Sequence, residues 1–310
     1  MIKNGVWVTM ITPFHDDGTI DFDAIPAMVD FYAAHCDGIF AVCQSSEMFF
    51  LDVQERVRLA KAVVRAAAGR LPVIVSGHTA SDPAEQLEEL REMAQTGAEA
   101  LVLVANRMAA AEEDDARWIE RADALVKALP EISLGIYECP YPYKRLMTAE
   151  TLRWCAQTGR FAFLKDTCCH SGQIREKLRL LEGTPFRLFN ANTATLLESL
   201  RDGCFGYSGV MANFHPQLYR RLIAWAGENP AAAEELQAQM TLMSWVENRA
   251  YPACAKLHMR MLGLPVQPYC RNGAHLRMSY DTHLDVAHLL AFERKLLACI
   301  GAPDALESML

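Results

Sequence analysis

The chain has little of what is typical of membrane, nucleic-acid-binding or disulfide-linked proteins. Its 310 residues contain no apolar run near the roughly 20 residues that a membrane-spanning helix needs, and its start shows no signal-peptide pattern. Acidic residues outnumber basic ones by 38 to 30 and no basic stripe is present, which disfavours nucleic acid as a partner. The ten cysteines lack CxxC spacing. We therefore expect a cytoplasmic protein with reduced thiols and no membrane association.

A glycine-rich phosphate loop is also absent after the first apolar run, which disfavours a doubly wound nucleotide-binding sheet. Short apolar runs instead alternate with amphipathic segments along most of the chain. The runs typical of buried strands cover residues 6–11, 38–43, 73–76, 100–104, 134–137, 161–164, 187–189 and 206–208. Eight strands that alternate with helices predict an α/β protein, a (β/α)8 TIM barrel.

Helix start signals between these runs support the alternation. Asp52 and Glu55 have the spacing of a capping box, and Thr148 precedes another amphipathic segment. The pattern predicts a catalytic barrel domain over residues 1–230 and a helical extension packed on it over residues 231–310. Helical patterns in the extension cover residues 231–247, 251–262 and 282–299.

Lys165 is the candidate nucleophile. It follows an apolar run that begins at Phe161, so its side chain is expected to be desolvated at the end of a strand. Burial disfavours the charged form of lysine, and a neutral amine can attack a carbonyl carbon. The alternative is a strand-end lysine whose ammonium simply reaches solvent.

The turn after the second predicted strand is a candidate anion site. It contains Gln44, Ser45 and Ser46, and small hydroxyl residues in a tight turn can present O–H and N–H groups to an anion. Serine is equally common as a helix cap, so the residues alone leave both interpretations open.

Two further strand ends carry polar or small residues. Tyr137 ends the fifth strand, although a buried tyrosine is more often part of the core than catalytic. The eighth strand supplies Gly206, Tyr207 and Ser208, where glycine lets a ligand approach the backbone closely. Because active sites of such barrels lie at the carboxyl ends of the strands, these residues and Lys165 are expected to converge.

Together these segments resemble the dihydrodipicolinate synthase / N-acetylneuraminate lyase family of class I aldolases. The resemblance covers most of the chain, and 28 residues separate Tyr137 from Lys165, as is usual in that family. The matching segments are Gly5 to Phe14, Gln44-Ser45-Ser46-Glu47, Tyr137 with Pro140, Lys165-Asp166, Gly206 with Ser208, Ala212-Asn213 and Pro216, and Tyr251-Pro252 with Lys256.

The resemblance implies a mechanism and a site. Lys165 would form an imine with a 2-oxo acid, most often pyruvate, and the iminium would serve as the electron sink for C–C chemistry. Tyr137 would shuttle protons, and Ser45 with its turn would hold the substrate carboxylate. No metal and no organic cofactor is needed. Family members are usually homotetramers, so we expect a homo-oligomer, a dimer or a tetramer.

Several positions depart from the family pattern. The arginine that binds the carboxylate of the second substrate in dihydrodipicolinate synthases is replaced by Pro142. Dihydrodipicolinate synthesis is therefore not the favoured activity. Glu138 replaces a common asparagine and is expected to select a cationic or polyhydroxyl substrate, or to pair with Arg107 or Lys144. The predicted substrate-binding residues are Gln44, Ser46, Asn106, Arg107, Glu138, Tyr207 and Ser208.

Cysteines also fall at predicted strand ends, namely Cys43, Cys139 and Cys168. A metal or redox site is the less favoured interpretation, because buried free thiols commonly pack as small apolar groups. His78 follows the third strand, and it is expected either to line the pocket or to be a hydrogen-bonded core histidine.

The leading functional hypothesis is a Schiff-base lyase that cleaves, condenses or dehydrates a sugar-acid-like substrate with a pyruvate-type 2-oxo acid. One alternative is a hydratase-aldolase for an unsaturated or aromatic 2-oxo acid, which Phe49 and Phe50 would suit. Dihydrodipicolinate synthesis is another. The non-enzymatic alternative is a barrel that binds a small acid without catalysis. Such a protein has no need of Lys165, Tyr137 and Ser45 together.

Overall fold

Eight parallel strands close into a barrel in chain order in the computed structural model, which describes residues 2–300. The strands are β1 (Gly5–Thr9), β2 (Gly38–Ala41), β3 (Val73–Val75), β4 (Ala100–Val104), β5 (Ser133–Tyr137), β6 (Phe161–Asp166), β7 (Arg187–Asn190) and β8 (Gly206–Tyr207). Nearly every strand residue is buried, because the strands lie between the barrel interior and a layer of helices. The prediction of a (β/α)8 TIM barrel is confirmed.

Helices follow the strands in the predicted alternation. They are α1 (Ile25–His35), α2 (Val53–Ala67), α3 (Pro83–Ala94), α4 (Asp115–Ala128), α5 (Ala149–Thr158), α6 (Ser171–Leu181), α7 (Leu196–Arg201), α8 (Pro216–Glu228), α9 (Pro230–Met243), α10 (Ala253–Met261) and α11 (Tyr280–Ile300). The predicted capping box is present, since Asp52 accepts a hydrogen bond from the Glu55 N–H at 2.8 Å and Glu55 accepts one from the Asp52 N–H at 3.1 Å. Thr148 caps α5 as expected.

Aromatic side chains fill the barrel interior below the mouth. Phe163 of β6 stacks on Phe189 of β7 with ring centroids 4.8 Å apart, and it also contacts Trp7 of β1 and Phe40 of β2. Successive residues of a strand point to opposite faces, so Phe163 and Lys165 share the inward face of β6. Lys165 therefore lies next to this aromatic layer, on its mouth side.

Between residues 230 and 300 the chain forms helices α9 to α11, which match the three predicted helical patterns. Lys256 of α10 is buried and pairs with Glu47 of the turn after β2 at 2.7 Å, which fixes the extension to the barrel mouth. The division into domains at residues 1–230 and 231–310 stays a prediction, and residues 301–310 of the extension lie outside the described part of the chain. Across residues 2–300, the helices all fall short of the length and apolar character needed to cross a membrane.

Candidate active site

A cavity of about 350 Å³ opens at the carboxyl ends of the strands. It brings together four residues predicted from the sequence, Gln44, Ser45, Tyr137 and Lys165. A larger open groove of about 570 Å³ runs between α9 and α11, lined by apolar side chains such as Trp245. That groove contains no predicted site residue, so the cavity at the strand ends is the candidate active site.

Lys165 lies at the base of this cavity and is almost completely buried. Its Nζ is 4.5 Å from the ring centroid of Tyr137 and 5.9 Å from that of Phe40. Burial lowers the pKa of Lys165 below the ordinary lysine value. Among residues 2–300, no hydrogen bond or ion pair engages the amine. The lysine is therefore desolvated, unpaired and accessible from the cavity, which are the conditions for nucleophilic attack on a carbonyl.

Tyr137 pairs with Lys165 in the sheet register, so both side chains point into the barrel at the same height. Its hydroxyl donates a hydrogen bond to Oε1 of Gln44 at 3.1 Å. Burial, together with the neighbouring thiols of Cys139 and Cys43, raises the pKa of Tyr137 well above the ordinary value. The phenol thus keeps its proton at neutral pH and can donate it to a developing alkoxide.

Ser45 lines the same cavity from the tight turn after β2. Its hydroxyl donates to Oγ1 of Thr9 at 3.2 Å and lies within hydrogen-bonding reach of Tyr251. The N–H groups of Ser46 and Glu47 bond to carbonyls within the turn. The Ser45 and Tyr251 hydroxyls therefore provide polar groups that can bind a carboxylate.

Ser46 and Glu138 were predicted to bind substrate, but the structure places both behind the cavity wall. Ser46 is buried, and its hydroxyl donates to the Met10 carbonyl at 2.6 Å and accepts from the Cys43 N–H at 3.1 Å. Glu138 follows Tyr137 directly, so strand alternation sends its side chain outward to Lys177 of α6. Neither of the predicted partners of Glu138, Arg107 or Lys144, pairs with it.

A buried charge cluster formed by Glu138, Asp166 and Lys177 supports the site from outside the barrel. The ammonium of Lys177 contacts both carboxylates, with 2.5 Å to Oδ2 of Asp166. Burial alone would lower the pKa of Lys177, but the two carboxylates outweigh it and raise that pKa. Burial and the charge of Asp166 raise the pKa of Glu138 to about 7. This charge cluster ties the ends of β5 and β6, which carry Tyr137 and Lys165, to α6.

Asn106 and Arg107 also lie outside the cavity lining. The Asn106 amide donates to the carbonyls of Cys139 at 2.8 Å and Tyr141 at 3.0 Å, so it holds the loop after β5. The Arg107 guanidinium lies 5.2 Å from the ring centroid of Phe49. Asn106 thus holds the loop that carries Pro140, whereas Arg107 contacts Phe49 and Ser81, and neither residue presents a group to the cavity.

Tyr207 and Ser208 are fully buried at the end of β8 and do not reach the cavity. Tyr207 stacks on Tyr219 of α8 with ring centroids 3.9 Å apart, and its hydroxyl is 3.3 Å from that of Thr193. The residues that follow, Gly209 and Val210, line the cavity instead. The sequence therefore located the correct strand end, but the Tyr207 side chain packs outward against α8 and the Ser208 hydroxyl is buried without a partner among the described residues.

Several lining residues were not predicted from the sequence. Lys144 lies in the loop after β5, and its Nζ donates to the Thr167 carbonyl at 2.7 Å. Asn272 and Glu247 come from the C-terminal extension, far along the chain from the strand ends. Burial raises the pKa of Glu247 to about 6, against the opposing charge of Lys165. No local sequence pattern marks these residues, because only the packing of the extension over the mouth brings them there.

The cysteines and His78 at the predicted strand ends were the remaining candidates for the site. Cys43 and Cys139 are buried, whereas Cys169 lines the cavity in place of Cys168. His78 is a core histidine, since its Nε2 accepts a hydrogen bond from the Val104 N–H at 2.6 Å and burial lowers its pKa to about 4. Within the described range, no three histidine, cysteine or acidic side chains are grouped as metal ligands.

Comparison with known proteins first gives the class of the protein. A family model matches residues 3–290, and its relatives are lyases and synthases of the aldolase type, so the chain is an enzyme of this class. The matching model is that of the Dihydrodipicolinate synthetase family, and the chain belongs to this family. The predictions of the family and of a lyase are confirmed.

Similar curated proteins carry the name 4-hydroxy-tetrahydrodipicolinate synthase. That of Shewanella piezotolerans is 28% identical over 277 residues, which cover 84% of this chain and 88% of the relative. That of Cellvibrio japonicus is 28% identical over 294 residues, or 92% of this chain and 99% of the relative.

Among solved structures, dihydrodipicolinate synthase from Aquifex aeolicus has a TM-score of 0.82 at 20% identity and covers 94% of this chain and 98% of its own. CdNal from Clostridium difficile in complex with mannosamine has a TM-score of 0.84 at 14% identity. The match covers 94% of this chain and 100% of the CdNal chain. These structures show the shared fold.

Proposed function

We propose that this protein is a class I, Schiff-base-forming lyase that acts on pyruvate or a related 2-oxo acid and makes, breaks or dehydrates a sugar-acid-like substrate. The observation that carries the proposal is the unpaired, buried amine of Lys165 at the base of the cavity, 4.5 Å from the ring centroid of Tyr137. A solvent-exposed lysine would be protonated at neutral pH, whereas burial keeps more of this amine in its neutral, nucleophilic form.

The cavity supports a complete sequence of steps. The amine of Lys165 attacks C2 of the 2-oxo acid, and Tyr137 protonates the carbinolamine hydroxyl, which leaves as water to give an iminium and the Tyr137 phenolate. The phenolate takes a C3 proton, and C3 of the resulting enamine forms a C–C bond with an aldehyde carbon while Tyr137 donates its proton to the new alkoxide. Water then hydrolyses the iminium, which releases the product and the neutral amine and returns a proton to the Tyr137 phenolate. The reverse order of steps cleaves the same bond.

The 2-oxo acid carboxylate would bind to Ser45 and Tyr251, whose hydroxyls line the cavity together with Lys165. Gln44 would hold the Tyr137 hydroxyl in place through its 3.1 Å hydrogen bond. The catalytic set is therefore Lys165, Tyr137 and Ser45, with Gln44 as a positioning residue.

The polar lining favours a hydroxylated substrate over an aromatic one. Phe49 packs on Tyr141 and beside Arg107, and Phe50 is half exposed, so neither phenylalanine contributes to the cavity. The sequence-based argument for an aromatic 2-oxo acid thereby loses its support. Two amides, Asn192 and Asn272, face the cavity instead.

Dihydrodipicolinate-type condensation is the second candidate function. The curated relatives carry that activity in their names. Pro142 removes the expected arginine, but Lys144 lines the same cavity and provides a cation for a second carboxylate. Turnover of pyruvate with an aldehyde that carries a carboxylate, lost in Lys144→Ala, would support this candidate over sugar-acid chemistry.

Trapping with sodium borohydride tests the proposed function. Incubation with pyruvate and borohydride should add a pyruvate-sized mass to Lys165, and Lys165→Ala should show no adduct. Lys61→Ala is the matched control, because Lys61 is an exposed lysine of α2. Absence of an adduct with pyruvate and with other 2-oxo acids would contradict the lyase proposal and favour a non-catalytic acid-binding barrel. A homo-oligomeric state and a cytoplasmic location remain predictions, the former testable by analytical ultracentrifugation.

A further inference from the structure

Glu247 is the acidic side chain that faces the proposed active site. It lies between α9 and α10 and lines the same cavity as Lys165. Its carboxylate is close enough to Lys165 for the two charges to interact. Among the residues that the structure describes, it has neither a hydrogen-bond nor an ion-pair partner. The cavity thus contains a partly desolvated carboxylate that these residues leave open to a donor from a bound ligand.

Other desolvated carboxylates of this protein are fully engaged. Glu47 pairs with Lys256 and accepts a hydrogen bond from the Asn272 N–H at 3.0 Å. Glu138 pairs with Lys177 and accepts bonds from two backbone N–H groups. Glu47 and Glu138 are fully buried and compensated in this way, whereas Glu247 is partly exposed at the cavity, where its open carboxylate is available to a donor on the substrate.

The charges that line the cavity indicate which donor fits. The ionisable lysines and acids of the lining are Lys144, Lys165 and Glu247. Once a 2-oxo acid has reacted, the two cationic groups of the cavity, the Lys165 iminium and Lys144, equal in number the two anionic groups, the substrate carboxylate and Glu247. A further ammonium or carboxylate on the second substrate would disturb this balance in a partly desolvated cavity. A neutral hydroxyl group preserves it and still donates a hydrogen bond to Glu247.

Neighbouring lining groups fit the same chemistry. Asn192 and Asn272 line the cavity alongside Glu247. Their side-chain oxygens already accept hydrogen bonds from Thr195 and from the Ala274 N–H, so their amide N–H groups are what they can offer a ligand. A chain of adjacent hydroxyl groups can accept from these donors and donate to Glu247, whereas a hydrocarbon chain can do neither.

We propose that Glu247 is a specificity-determining residue that accepts a hydrogen bond from a hydroxyl group on the second substrate, so the enzyme prefers polyhydroxylated aldehydes and the sugar acids that correspond to them. This inference rests on the proposed function and names its substrate class. The C-terminal extension then has a chemical role, since it supplies the group that recognises the part of the substrate beyond the reacting carbon.

The test compares aldehydes that differ in hydroxyl content, each with pyruvate. Propionaldehyde, glyceraldehyde, erythrose and 3-aminopropionaldehyde are the probes, and kcat/KM is measured for wild type, Glu247→Leu and Glu247→Gln. Wild type should prefer glyceraldehyde and erythrose to propionaldehyde. Glu247→Leu should reduce that preference by roughly tenfold or more, because it removes the acceptor at similar volume. Glu247→Gln should keep most of it, because its amide oxygen still accepts.

Borohydride trapping on Lys165 is measured for every variant and separates the possible failures. Glu228→Leu is the matched control, since Glu228 is exposed at the end of α8. Absence of trapping in wild type would overturn the proposed function itself. With trapping intact, three outcomes would overturn this inference alone: an equal loss for all aldehydes in Glu247→Leu, a wild-type preference for the amino aldehyde, or no turnover of hydroxylated aldehydes.

Discussion

Replacement of Lys177 by methionine should strongly destabilise the protein although Lys177 is outside the cavity. Methionine keeps most of the apolar length of the side chain and removes only the ammonium. In the wild type that ammonium contacts both Glu138 and Asp166, and all three side chains are buried. The variant leaves two carboxylates close together in a desolvated space with no cation between them.

The expected cost is about 3–5 kcal/mol in the free energy of unfolding, the range found when one partner of a buried ion pair is removed. That is a large part of the roughly 5–15 kcal/mol by which a typical domain is stable. The double variant Lys177→Met/Glu138→Gln should be more stable than Lys177→Met alone. Its glutamine removes one of the two repelling charges and can donate a hydrogen bond to Asp166.

Urea unfolding at two pH values provides the assay. The folded-state pKa of Glu138 is raised from 4.5 to about 7, so its contribution to stability is fully present below the lower value and is lost as pH rises through the upper one. Loss of the Lys177 charge, which opposes this shift, raises the pKa further. The deficit of Lys177→Met relative to wild type should therefore be larger at about pH 8 than at about pH 5.5.

Lys127→Met is the matched control, because Lys127 forms an exposed i,i+4 ion pair with Asp123. It should change the free energy of unfolding by about 0.5 kcal/mol or less. A similarly small effect of Lys177→Met, or a double variant whose loss equals the sum of the single losses, would refute the reasoning. Either result would mean that the buried charges of the cluster are not coupled.

Three further predictions concern the site and its surroundings. Tyr137→Phe should lower kcat by roughly 10²–10⁴-fold while pyruvate still traps on the enzyme, and an unchanged kcat would exclude the proton shuttle. Lys256→Met should cost about 3–5 kcal/mol in urea unfolding because Glu47 is left buried without its cation, and a loss below about 1 kcal/mol would contradict this. Phe50→Ser should change kcat/KM by less than about twofold, since Phe50 lies outside the cavity, whereas a large drop would restore the aromatic-substrate hypothesis.

The barrel was predictable because its signals are local. Apolar runs of strand length, the capping box at Asp52 and the cap at Thr148 all depend on residues a few positions apart. The second strand ends at Ala41, earlier than predicted, and the residues after it form the turn that carries Ser45. Gln44, Ser45, Tyr137 and Lys165 could be placed near one another because parallel strands of a barrel end at the same mouth.

Side-chain direction at the strand ends was not predictable to the same degree. Glu138, Ser46 and Tyr207 lie at the correct ends, but strand alternation and tight turns direct their side chains into the layer between barrel and helices. A shift of one residue is enough to move a side chain from the cavity to this layer. Polar residues next to a catalytic residue in sequence are therefore weak candidates until the geometry is known.

The sequence by itself determined the barrel and the family and pointed to Lys165 as the candidate nucleophile, because strand patterns, helix caps and the Lys165 segment are encoded by neighbouring residues. Only the tertiary structure decided what surrounds that lysine. Glu247 and Asn272 reach the cavity because the C-terminal helices pack over the mouth, held there by the buried contact of Lys256 with Glu47. Such contacts join residues some 200 positions apart, and they depend on packing that no local pattern of the chain specifies.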